Sequence, residues 1–254
     1  MRRVKPISHE DEVSLVEHLD ELRARIVVSL SVFGVALALC FWQNHLLLEL
    51  AAGPLPSGHT KLITFGITEP FTTTLTVSAY AAIILSMPIL LYEAYAFLLP
   101  AFSKQQQRSI VPLLLMIPLL FVAGIAFGFF VVLPAATKFL LNFNDTQFNV
   151  QVQAKEYYGF FAQTLLACGI VFQIPVGILA VTRLGIVTVK QLTKNRRYAY
   201  LGCAVIAAAL PGVDPVSMLL EMAPLVALYE LSIVLARVFG TPKETINEPV
   251  VPPA

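Results

Sequence analysis

Val111–Pro134 reads V-P-L-L-L-M-I-P-L-L-F-V-A-G-I-A-F-G-F-F-V-V-L-P, a run without a single charged residue. A hydrocarbon core about 30 Å thick needs roughly 20 helical residues to cross it. This run is long enough, and nothing in it could form the solvated face of a soluble helix. The rest of the chain repeats the pattern, with comparable runs at 26–42, 74–98, 159–182, 198–211 and 217–236. Of the 254 residues, 57% are hydrophobic and 13% charged, against roughly 25% charged in a soluble domain. Too little polar surface remains to cover a globule in water, so lipid must solvate most of the outside. The expected fold is an all-α integral membrane protein of six transmembrane helices, forming one membrane domain over residues 1–239.

The last two spans are expected to be short. The stretch 198–211 covers only about 21 Å at about 1.5 Å per residue, and 217–236 is interrupted by Glu221, Pro224 and Glu230. Both still count as spans, because Leu210–Ser217 (L-P-G-V-D-P-V-S) reads as a tight reversal between two helices. Pro88, Pro112, Pro118, Pro175 and Pro224 fall at or within spans and should kink them, giving a cupped bundle. Pro134 and Pro211 should mark span ends. Lys and Arg split 14 to 3 between alternate sides of the six spans, which places both termini in the cytosol. The first 25 residues mix acids with bases and lack a short apolar core before a cleavage site, so they do not read as a cleavable signal. The tail at 240–254 should be disordered.

Before the first span lies His18–Arg25, H-L-D-E-L-R-A-R. Read as a helix from Ser14, it carries Leu15, Leu19, Leu22 and Ile26 on one face and Glu17, Glu21 and Arg25 on another. The segment should lie along the cytosolic interface before turning into the membrane. Two readings follow from the residues alone. One is a solvated face with an i,i+4 Glu21–Arg25 pair worth a few tenths of a kcal/mol. The other is a carboxylate cluster that accepts a guanidinium from a visiting peptide, a role suited to charge-assisted bidentate bonds.

Further motifs follow in order: Glu69–Phe71 (E-P-F), Leu85–Pro100 (L-S-M-P-I-L-L-Y-E-A-Y-A-F-L-L-P), Phe172–Pro175 (F-Q-I-P), Leu192–Tyr198 (L-T-K-N-R-R-Y), Asp214 and Pro224–Leu231 (P-L-V-A-L-Y-E-L). Together with His18–Arg25 they resemble the TatC family, the receptor subunit of the twin-arginine protein translocase. The resemblance covers about residues 14–239. It implies a multi-pass protein of the cell membrane that binds twin-arginine signal peptides at its cytosolic face. With single-span partners of the TatA and TatB type, and associating with itself, it would export folded proteins using the proton-motive force. It implies no catalytic chemistry and no cofactor. By resemblance, Glu21 is the main acidic acceptor, within a segment that includes Asp20 and Arg23. Phe97 and Pro100 shape the adjoining loop. Pro54, Glu69 and Asp214 take functional positions on the outer side.

The chain also departs from that family. The first cytosolic loop commonly carries a second glutamate, and Gln106 falls at its place within Ser103–Arg108. A neutral amide accepts more weakly than a carboxylate, so the second signal arginine would lean on Asp20, Glu93 or Glu17. In the fourth span Gln173 replaces a glutamate of some relatives. Polar groups inside a bilayer are costly and are functional candidates by default. Gln173 reads either as an interhelix hydrogen bond, about 0.6 kcal/mol, or as a contact for a polar residue of a single-span partner. Gln163, ten residues earlier, could share its stripe. Glu230 matches the family, whereas Glu221 has no role assigned.

Other chemistry is disfavoured. The charges form no basic face for nucleic acid. Cys40, Cys168 and Cys203 sit in separate apolar runs and read as packing residues. There is no H-E-x-x-H helix, so no metal site is expected, and no nucleophile elbow or phosphate loop points to an enzyme. The alternative function is a six-span secondary transporter of a small solute using Gln173, Glu221 and Glu230. The absence of any internal repeat weighs against it.

Overall fold

The computed structural model describes residues 15–56, 62–98, 104–143, 147, 150–183, 185–210 and 215–239. Among the described residues the fold is all-helical, and β pairing is confined to an isolated parallel bridge between Ile63 and Gln153. The helices are α1 (Leu15–Trp42), α2 (Asn44–Ala52), α3 (Glu69–Leu98), α4 (Lys104–Phe127), α5 (Leu133–Asn142), α6 (Ala154–Val171), α7 (Ile174–Arg183), α8 (Val189–Lys194), α9 (Arg196–Ala209) and α10 (Pro215–Phe239). A π-helical turn, Gly128–Val132, joins α4 to α5. Among the described residues, five segments are long and apolar enough to cross a bilayer: Leu19–Trp42, Glu69–Phe97, Met116–Asn142, Ala154–Arg183 and Met218–Val238. The tail at 240–254 lies outside the described residues.

Three sequence expectations change. First, the segment around Glu21 does not turn before entering the membrane. It is the opening of α1, whose 28 residues extend about 42 Å. That exceeds a hydrocarbon core by more than two helical turns, so one uninterrupted helix holds both the charged segment and the span. Second, α10 is not short. Its 25 residues run through Pro224, reaching about 37 Å. A membrane helix absorbs an internal proline where neighbours or local adjustment satisfy the freed carbonyl. Only α9, at 14 residues, has the short length expected of both. Third, Pro134 does not end its span. It occupies the first turn of α5, and the helix continues to Asn142. The π-helical turn explains this. Leu133 N–H bonds Gly128 O, five residues back, and this wider turn precedes the position where proline would clash with the regular ladder.

Pro175 breaks the fourth span. It lacks the N–H that would continue the ladder from Val171, and it sits in the first turn of α7, where that loss costs least. Around the break, Gln173 N–H closes on Ile170 O at 2.9 Å.

α6 runs through the middle of the bundle, packed against α3 and α4. Its approach to α4 depends on glycine. A Cβ on Gly124 would stand 2.6 Å from the Cys168 carbonyl oxygen and 2.9 Å from Phe172. One on Gly169 would stand 2.6 Å from the Phe121 ring. Gly124 and Gly128 have the small-xxx-small spacing that lets membrane helices approach closely. On the other flank α1 rests on α3 through Ala36, Cys40 and Ala82. α7, α9 and α10 form a second group around Leu225, Tyr229 and Ile233.

Candidate functional site

At one end of the bundle, α1 and α3 bring two carboxylates to one guanidinium. Arg25 Nε and Nη2 donate to Glu21 Oε1 at 3.1 and 2.5 Å, and Nη1 donates to Glu93 Oε2 at 2.7 Å. Helical spacing sets the first pair, since residues four apart share a face. Antiparallel packing of α1 on α3 sets the second, across 68 residues of sequence. The three side chains are 34%, 23% and 18% exposed for Glu21, Arg25 and Glu93. They are half out of water, reachable from solution, and strengthened by partial burial. Two acids facing one base leave one excess negative charge.

Phe97 lies one turn beyond Glu93 on α3 and is half-buried. Asp20 and Arg23 are exposed on α1. Gln106 falls in α4, but its side chain lies outside what is described, as does Pro100. Of the residues singled out in the sequence, the structure therefore brings Glu21 and Glu93 together through a shared guanidinium. Arg25, which bridges them, was legible only as a partner of Glu21. Its spacing of four from Glu21 was the available signal.

Within the bundle the two glutamines meet different neighbours. Gln163 Nε2 donates to the Tyr80 hydroxyl at 3.3 Å, and Gln173 Nε2 donates to the Ile117 carbonyl of α4 at 3.3 Å. The break between α6 and α7 separates them, so a single helical stripe no longer describes the pair. Gln163 lines a groove of about 760 Å³ with Thr68, Thr72, Thr76, Tyr80 and Lys155. Glu230 accepts from Arg196 Nη2 at 2.7 Å and from the Tyr200 hydroxyl at 2.6 Å. Glu221 is buried in α10. Arg196 and Glu230 are each more than a third exposed, so Glu230→Gln is expected to cost about 1 kcal/mol or less. Thermal unfolding in detergent should detect a small downward shift.

At the opposite end, Glu69 opens α3 and is buried (8% exposed). Its carboxylate accepts from Phe65 N–H at 2.8 Å, Gly66 N–H at 3.2 Å and Gln153 Nε2 at 2.8 Å. It thus staples its own loop to the start of α6, beside the Ile63–Gln153 bridge. Pro54 offers its carbonyl to Thr137 Oγ1 at 3.2 Å. Tyr157 and Tyr158 hydroxyls donate to Ala51 O at 2.7 Å and Leu48 O at 3.4 Å, tying α2 down as a cap. Asp214 lies outside the described residues. Glu69→Ala should release the loop. Hydrogen exchange should then quicken at Phe65 and Gly66 while α6 stays protected; unchanged exchange there would count against the staple.

A family model described as Sec-independent protein translocase protein (TatC) matches residues 17–224. The chain belongs to the TatC family. A TatC from Desulforapulum autotrophicum is 36% identical over 246 residues, covering 95% of this chain and 91% of that one. A second, from Carboxydothermus hydrogenoformans, is 35% identical over 237 residues, covering 93% and 97%. A crystal structure of the twin arginine translocase receptor TatC aligns with a TM-score of 0.76 at 32% identity, over 88% of this chain and 99% of that chain. TatC membership makes the chain a multi-pass membrane component of the twin-arginine translocase, in a family not known as enzymes. The carboxylate pair falls within the matched residues, whereas Glu230 lies just beyond them.

Proposed function

We propose that this chain is the receptor and core subunit of a twin-arginine translocase, and that the α1–α3 end carrying Glu21 and Glu93 binds the paired arginines of export signals. The observation that carries this reading is the Glu21–Arg25–Glu93 trio. Arg25 illustrates there that these carboxylates accept a guanidinium, and the excess negative charge draws a visiting one toward them. Phe97, Pro100 and Gln106 would border the docking surface, with Asp20 and Arg23 along the exposed side of α1.

In this reading the chain crosses the cell membrane six times, with α9 as the short crossing and both termini in the cytosol. The groove at Tyr80 and Gln163 would receive a polar side chain from a single-span partner subunit. The proton-motive force would drive passage of the folded cargo. Pro54, Glu69 and Asp214 would shape the outer face.

The test is site-specific crosslinking from the neighbouring positions 20 and 97, which leaves both carboxylates in place, to two signal peptides that differ only in carrying Arg-Arg or Lys-Lys. The Arg-Arg peptide should crosslink several-fold more strongly, because a planar guanidinium pairs with carboxylates in a way that an ammonium cannot. Equal crosslinking would show that this surface does not read arginine.

A further inference from the structure

We propose that the apolar pocket under α2 is a binding site for one acyl chain of a bilayer phospholipid. The pocket measures about 320 Å³. α1, α3 and α6 wall it, α2 covers it, and Phe129 of the π-helical turn closes the back. Leu47, Ala81, Ile84 and Leu165 supply its hydrocarbon surface. On its rim, Leu50 is 53% exposed and Leu85 62%. Leu85 sits midway along the Glu69–Phe97 crossing, so the mouth opens at membrane depth.

The apolar lining and the mouth at membrane depth choose the occupant. An apolar cavity of about 150 Å³ stays dry and takes up an apolar guest; this one has about twice that volume. The Tyr80 hydroxyl, the one hydroxyl in the lining, is engaged by Gln163, and Cys40 behaves as a small hydrophobe. Water therefore gains little by entering. A flexible hydrocarbon chain fits, and the surrounding bilayer supplies it. The α2 cap, fixed through Ala51 and Leu48 to Tyr157 and Tyr158, would keep the chain in place while its headgroup stays outside the rim.

The experiment uses the full chain in nanodiscs of phosphatidylcholine brominated along its acyl chains. The chain has one tryptophan, so Trp42→Phe clears the background. Phe129→Trp then reports from the pocket wall. Phe130→Trp reports from bulk lipid, since Phe130 is 73% exposed. We expect quenching at both positions, and Ala81→Leu, which fills the pocket, should at least halve it at 129 and leave it unchanged at 130. An unquenched reporter at 129, or quenching there indifferent to Ala81→Leu, overturns the proposal. Native mass spectrometry of the unsubstituted chain gives an independent readout should the filled variant not fold. A single phospholipid should stay bound after detergent removal, and a bare chain would likewise overturn the proposal.

Discussion

Glu21→Ala is expected to cut export of a folded reporter bearing a twin-arginine signal at least tenfold, with the protein still present at its normal level in the membrane. The substitution removes one of two carboxylates and cancels the excess negative charge of the trio. Arg25 then remains on Glu93, leaving no net attraction for an incoming guanidinium. A hydrogen bond to a charged group is worth about 1.5–3 kcal/mol, and each 1.36 kcal/mol is tenfold in affinity or rate. Folding should survive, because a partly exposed i,i+4 pair contributes only about 0.3–0.5 kcal/mol. Glu93→Ala should act in the same direction. Glu21→Gln should be milder, since the amide still accepts, though more weakly. Export assays with immunoblotted membrane fractions separate lost function from lost protein. Normal export by Glu21→Ala would remove the main support for the receptor reading.

Gly124→Leu is expected to abolish accumulation of the folded chain, and Gly124→Ala should already lower its thermal stability in detergent. At this position even a methyl carbon meets the backbone carbonyl of Cys168 at 2.6 Å, which no rotamer change can relieve. Either α4 and α6 part or the structure strains, and overpacking of this kind costs about 1–3 kcal/mol, occasionally more. Gly169→Ala should be less severe, because its obstacles are the Phe121 ring and the Ile125 side chain, which can tilt away. Gly177→Ala is the control, with nothing within 4 Å of the added carbon. Equal melting temperatures for the 124 and 177 variants would mean that α4 and α6 do not depend on this close approach.

Local pattern carried much of this into the sequence. Apolar runs marked the crossings, because lipid leaves no room for charge along them. Glu21 and Arg25 were legible as a pair because their spacing of four is a property of any helix. Glu93 was not legible as the third member, since its approach depends on how α3 packs against α1. Pro134 misled for a related reason: a proline stops a regular helix, and only the wider turn at Gly128–Val132 lets this one pass. α10 was underestimated because Glu221, Pro224 and Glu230 suggest interruption when read singly, whereas the bundle accommodates each. Gln163 and Gln173 looked like one stripe only on the assumption of an unbroken helix, which Pro175 denies. Gly124 and Gly128 carried no reading in the sequence, because their role depends on which helix packs against them.

Arg25 also bears on how the receptor reading would work in time. Its guanidinium already satisfies the carboxylates that a cargo arginine would use, so docking there swaps one guanidinium for another of the same chemistry. Part of the bond energy cancels in the exchange, and the remainder, together with the excess negative charge, holds the cargo. A subunit that must pass its client onward benefits from such an arrangement. Dissociation needs no buried acid to be left bare, because the native arginine returns as the visitor leaves. In that reading, selectivity for arginine and quick release would come from the same pair of carboxylates.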